Sequence, residues 1–130
     1  MSFDYFKVNE FACQCESCQQ KGGTGFNMNS KVVDRLDQAR EIAGCPFVIT
    51  SGYRCKEHNA EIGGRVGSSH TRGLAVDIAY NGSRQLYQIV NALLMVGFCR
   101  LGISKTGKFV HADMDIAKAQ NVIWQYPTEY

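Results

Sequence analysis

Apolar residues recur at three- and four-residue spacing through NSKVVDRLDQAREIAG (29–44), so that Val32, Val33, Leu36, Ala39 and Ile42 share one face of a helix. Asn29 or Ser30 supplies the side-chain acceptor that opens such a helix, and Gly44 the left-handed residue that closes it. The spacing predicts about four helical turns. The period then changes. FVITSGYR (47–54) is a short β-branched run stopping at Gly52, which reads as a strand entering a loop, and GLAVDIAY (73–80) alternates well enough for a second strand. SRQLYQIVNALLMVGF (83–98) returns to helical spacing, with Ser83 as its cap, and CRLGISKTGKFVHADM (99–114) reads as two strands joined by a tight turn around Thr106 and Gly107. Helix, strand, strand, helix and hairpin in that order predict an α+β domain, with a small, mainly antiparallel sheet flanked by helices.

The alternation matters most in the last strand. Period two puts Phe109, His111 and Asp113 on one face and Val110, Ala112 and Met114 on the other. If the AVDIAY strand lies beside this hairpin, His70 and Asp77 meet His111 near one end of the sheet. The segment delivering His70, GGRVGSSHTRG (63–73), is too polar for a core strand and rich in glycine, as loops that place side chains in sites often are. Two imidazoles and a carboxylate form a three-ligand set of the kind that holds zinc with one position left open. Zinc in such a site polarises a carbonyl and lowers the pKa of water to about 7, the chemistry of metal-assisted amide hydrolysis. On spacing alone the set is a weak motif, since most lone histidines are structural or merely exposed.

Composition narrows the picture. A chain of 130 residues with 45% hydrophobic residues suits a single domain, 1–130, with one core. A net charge of +2 and scattered lysines and arginines give no stripe for nucleic acid or for a membrane surface. The longest apolar run, ALLMVGF (92–98), is far short of a membrane span. MSFDYFKVNEF has no basic region followed by an apolar one, so synthesis in the cytoplasm without a signal peptide is expected. Phe6, Val8 and Phe11 in this stretch are expected to pack on the core.

Six cysteines, at positions 13, 15, 18, 45, 55 and 99, allow fifteen pairings. A second, structural zinc at Cys13, Cys15 and Cys18 needs a fourth ligand from Cys45, Cys55, Cys99 or His58. Disulfides or free thiols outweigh that reading at the level of sequence.

SGYRCKEHNAEIGGRVGSSHTRGLAVDI followed by KFVHADM resembles the zinc D-alanyl-D-alanine carboxypeptidase family, which includes phage peptidoglycan endopeptidases and shares its core fold with D-alanyl-D-alanine dipeptidases and the Hedgehog signalling domain. The family pattern runs S-G-[YF]-R, H-N near a glycine pair, S-x-H-x-x-G-x-A-x-D, and a distal H-x-D, and all four parts occur in order across residues 51–113. The resemblance implies a Hedgehog-like peptidase fold with one catalytic zinc on His70, Asp77 and His111. It implies substrate binding or oxyanion stabilisation for Arg54, with a surface salt bridge as the plain alternative. Ser68 is the motif serine, a hydrogen-bond donor to substrate or to a ligand, or else a loop-packing residue. His58 and Tyr53 are given supporting roles.

One departure concerns the proton acceptor. Several relatives carry a carboxylate three residues before the last histidine ligand, where this chain has Lys108. Asp113 is then the candidate general base, or alternatively the residue that orients His111. The resemblance thus implies a monomeric zinc metallopeptidase, a D,D-carboxypeptidase or endopeptidase acting on peptidoglycan stem peptides or cross-links, of the kind found in phage endolysins or virion-associated lysins, which reach the cell wall through a holin or through injection. The alternative is a catalytically inactive, zinc-containing binding module of the same fold.

Overall fold

The computed structural model describes residues 4–127. Its helices are α1 (Glu16–Gln20), α2 (Ser30–Ala43), α3 (Lys56–Glu61) and α4 (Gly82–Met95), and its strands are β1 (Val48–Ser51), β2 (Ala75–Ala79), β3 (Arg100–Ser104), β4 (Phe109–Asp113) and β5 (Val122–Gln125). The strands form one sheet in the order β1-β2-β4-β3-β5, with every pairing antiparallel except the parallel β3–β5 edge. The expected α+β class and mainly antiparallel sheet are therefore present. No described helix is long and apolar enough to cross a membrane.

Helix α2 starts where its cap dictates: Asn29 Oδ1 accepts from the amides of Lys31 and Val32, and Gly44 closes the helix at φ 69°. Val32, Val33, Leu36, Ala39 and Ala43 are buried, whereas Ile42 is 45% exposed. The buried stripe ends on Ala43 and not on Ile42. Helix α4 begins at Gly82 behind Asn81, so Ser83 lies inside the helix and not at its cap.

The sheet has two different faces. Val76, Ile78, Leu101, Val110 and Ala112 point toward α2 and α4 and join Leu36, Ile89, Leu93 and Phe98 in the core. Asp77, His111 and Asp113 stand on the opposite face, as period two requires. In β2, Ala75 through Ile78 are all buried, because this inner strand is covered on both sides. Strand β5 was not anticipated from the sequence. It is a short edge strand whose residues are half-buried or exposed, which leaves little hydrophobic signal to read.

The amino-terminal segment packs as expected through Phe6 and Phe11, whose rings lie 5.4 Å apart, while Val8 is only partly covered. It also braces the loop after β1. The Tyr53 amide donates to the Phe11 carbonyl at 2.8 Å, and Gly52 sits so close that a Cβ there would lie 2.7 Å from Phe11 Cα.

Candidate metal centre and active-site cleft

Register builds the centre. Antiparallel pairing sets Asp77 of β2 directly opposite His111 of β4, which places their side chains together on the polar face. His70 comes from a 3-10 turn, Ser69–Arg72, that ends at Gly73 (φ 69°) and feeds β2. The ligating atoms of His70, Asp77 and His111 all lie within 4.8 Å of one another.

Hydrogen bonding fixes which ring nitrogens face inward. His70 Nδ1 lies 2.8 Å from the Gly52 carbonyl oxygen, which can only accept, so Nδ1 carries the proton and Nε2 is left with its lone pair. His111 Nε2 lies 2.7 Å from Asp113 Oδ2, and Asp113 is held ionised, so Nε2 donates and Nδ1 faces inward. Asp77 Oδ1 lies beside both inner nitrogens, at 3.3 Å from His70 Nε2 and 3.1 Å from His111 Nδ1. Three electron-rich atoms thus converge where each repels the others unless a positive charge sits among them. Bond lengths of about 2.05 Å around a tetrahedral zinc place two such donors about 3.3 Å apart, and these separations match. Donor chemistry and spacing both fit zinc on His70 Nε2, Asp77 and His111 Nδ1.

The titration directions carry the same message. Burial alone would raise the Asp77 carboxyl, but the adjoining imidazoles of His111 and His70 outweigh it and hold the group below its ordinary range. Burial alone would lower His111, but Asp113 and Asp77 win and raise it. Both directions mark a pocket that favours positive charge.

The family model of peptidase M15 matches residues 4–113, taking in every part of this centre. The chain belongs to the peptidase M15 family. That family is zinc-dependent and its members are peptidases. No curated protein matches the chain closely enough to count as a relative.

In this M15 peptidase the centre opens onto a cleft of about 720 Å³. One wall is the 62–68 loop with Arg54, and the other is Trp124 and Tyr126 with Phe109. Trp124 lies 5.5 Å from the His111 ring, and it can cross β3 only because position 102 is glycine: a Cβ there would come within 2.6 Å of the indole. Arg54 is held at the cleft by Asn59 Oδ1 at 2.8 Å and Ser51 Oγ at 3.0 Å. Gly64 permits this, since a Cβ would meet Asn59 Oδ1 at 2.1 Å. Asn59 also donates to the Arg65 carbonyl and so ties α3 to the loop. The strut of the H-N pair is therefore Asn59, while His58 stands near Glu61 outside the metal centre.

Asp113 is nearly inaccessible, with 1% of its surface exposed. Its Oδ2 takes the His111 ring, and its Oδ1 accepts from Arg100 Nε at 2.8 Å and the Asp115 amide at 3.0 Å. Lys108 is an exposed residue in the β3–β4 turn, at φ 53°. Ser68 Oγ accepts from the His70 amide at 3.3 Å and so caps the turn that carries the ligand.

Three residues that sequence reasoning passed over stand behind these. Ser69 Oγ, the neighbour of the motif serine, is buried and donates to Asp115 Oδ2 at 2.7 Å. Asp115, fully buried, also pairs with Arg72 and accepts from the Ala117 amide. Arg100, mostly buried, places its guanidinium 5.0 Å from the Trp124 ring and neutralises Asp113. Charged residues inside a β-branched run are the available signal for Arg100 and Asp113, because burial without a partner would be too costly.

Proposed function

We propose that this M15 peptidase is a zinc metallopeptidase that hydrolyses amide bonds in peptidoglycan stem peptides or their cross-links. The observation that carries the reading is the convergence of His70 Nε2, His111 Nδ1 and Asp77 Oδ1, with both outer ring nitrogens committed as donors, at the floor of an open cleft. A zinc ion held by these three residues supplies polarisation of the scissile carbonyl and a lowered pKa for the attacking water.

The chain's own residues supply orientation and charge. The Gly52 carbonyl and the Asp113 carboxylate fix the two imidazoles, so the ligands are set before any metal arrives. Arg54, anchored by Asn59 and Ser51, presents a guanidinium at the cleft wall to hold a substrate carboxylate or the oxygen that gains charge during attack. Arg65 and Lys118 add positive charge to the same lining, which suits the carboxylate-bearing stem peptides of the bacterial wall. Trp124, Tyr126 and Phe109 give the substrate an apolar wall.

Asp113 serves in this proposal as the positioning residue for His111 and not as the proton acceptor, since both its oxygens are engaged and its surface is closed to water. Cytoplasmic synthesis followed by action at the cell wall as a monomeric, endolysin-type enzyme completes the reading.

One observation favours a second reading, a zinc-containing binding module. Among the described residues lining the cleft, the only carboxylates are Asp77 and the engaged Asp113. Digestion of purified peptidoglycan by the zinc-loaded protein and by His70→Ala, with fragments identified by mass spectrometry, separates the two. New fragments from the unmodified protein alone establish the peptidase and name its bond. Bound zinc without cleavage establishes the module.

A further inference from the structure

The cysteines of the amino-terminal segment meet a fourth from a distant part of the chain. Cys13, Cys15 and Cys18 surround the start of α1, and Cys55 precedes α3, forty residues beyond Cys15; the four sulfurs lie within 4.8 Å of one another. Cys15 Sγ is 3.6 Å from both Cys13 Sγ and Cys55 Sγ. A disulfide requires about 2.05 Å, so these contacts are not disulfides, and all six cysteines are free. Bonds of about 2.3 Å from a tetrahedral zinc to four thiolates place the sulfurs about 3.8 Å apart, close to what is found.

Backbone amides donate to three of the sulfurs: Cys18 to Cys15 Sγ at 3.4 Å, Cys55 to Cys13 Sγ at 3.4 Å, and His58 to Cys55 Sγ at 3.3 Å. Such donors suit sulfurs that share a cation, and Cys13 and Cys18 are closed off from solvent, at 2% and 6% exposure. Four negative sulfurs in contact need a cation among them, and a tetrahedral, all-sulfur set selects zinc or iron.

We infer that Cys13, Cys15, Cys18 and Cys55 bind a second zinc, closed to substrate. The four thiols give up four protons as four zinc–sulfur bonds form, and the protein leaves no open position at the metal. Its role is to fasten the amino-terminal segment to the loop that carries Gly52 and Arg54. That loop holds His70 through the Gly52 carbonyl and reaches the cleft through Arg54, so the cysteine metal steadies the catalytic one without touching it. The sequence leaves the fourth ligand open among Cys45, Cys55, Cys99 and His58 and weighs disulfides or free thiols above this site. The fold supplies the missing fourth ligand.

Metal analysis of the whole chain purified under reducing conditions tests the inference. The unmodified protein is expected to hold two zinc ions, Cys55→Ser one, His70→Ala one, and the double variant none. Cobalt exchanged into the protein is expected to give a thiolate charge-transfer band that His70→Ala keeps and Cys55→Ser loses. One zinc per unmodified chain with no cobalt–thiolate band, iron in place of zinc, or a mass lowered by the hydrogens of disulfides overturns the assignment. The unmodified protein alone suffices for these readings should a variant fail to fold. Failure of the His70 centre leaves the cobalt–thiolate band intact, so the two sites are judged separately.

Discussion

The two ligand clusters are built by opposite means. Asp77 and His111 face each other across neighbouring central strands, so backbone pairing sets their separation, and only His70 arrives from a turn. The four cysteines sit on loops and helix starts, where no ladder of hydrogen bonds fixes spacing, and backbone amides aimed at the sulfurs do that work. The first cluster opens onto a cleft, and no cysteine lines that cleft. An open three-ligand set on a rigid sheet suits chemistry; a closed four-sulfur set between loops suits fastening. The loop from Gly52 to Cys55 joins them, since it gives its carbonyl to His70 at one end and its sulfur to the cysteine cluster at the other.

The comparison can be broken most forcefully at Arg100. Arg100→Met removes the guanidinium that neutralises Asp113 and leaves a buried carboxylate behind His111 without its cationic partner. Breaking such a pair costs about 3–5 kcal/mol, a fall in melting temperature of roughly 10 °C or more. Thermal and urea denaturation measure it; a loss below about 1 kcal/mol would show that Asp113 does not depend on this partner.

Asp113→Asn is a gentler test that distinguishes the clusters. Weakening the acceptor behind His111 is expected to lower zinc affinity at the His/Asp centre by roughly 10- to 100-fold while leaving the cysteine cluster untouched. Chelator competition reads this directly. Unchanged affinity together with lost cleavage would return Asp113 to the role of proton acceptor.

The smallest effect belongs to Asp115, which supports the His70 turn through Ser69. Burial alone would raise its carboxyl, but Ser69, the Ala117 amide and the charges of Arg72 and Lys118 hold it below the ordinary carboxylate range. A carboxyl lowered by folding contributes stability that is present above its unfolded pKa of about 3.9 and is lost as pH falls through the lower folded value. Stability of the unmodified protein is expected to fall more steeply in acid than that of Asp115→Asn. Parallel curves would mean that the carboxylate contributes nothing through its charge.

Much of the scaffold was legible because it obeys short-range rules. The cap at Asn29, the stop at Gly44 and the alternation through His111 each depend on a few neighbouring residues, and each stands in the structure. Ser83 misled because a hydroxyl near a helix start resembles a cap whether or not the chain turns there, and the helix begins at Gly82 instead. Ile42 fits the stripe by spacing yet stays exposed, since the neighbouring Ala43 is the residue that the last turn of α2 buries.

What the sequence determined by itself was a pattern: helices and strands in order, two histidines and an aspartate on elements able to meet, and a four-part motif joining them. Tertiary structure decided the partners. Whether Asp113 faces water or Arg100, whether Ser68 or Ser69 is buried, and which cysteine completes the set of four all depend on residues distant in the chain. Local patterning is enforced by backbone geometry at three or four residues' range, whereas a buried charge or thiolate is acceptable only beside its partner, and that partner is chosen by the packing of the whole chain.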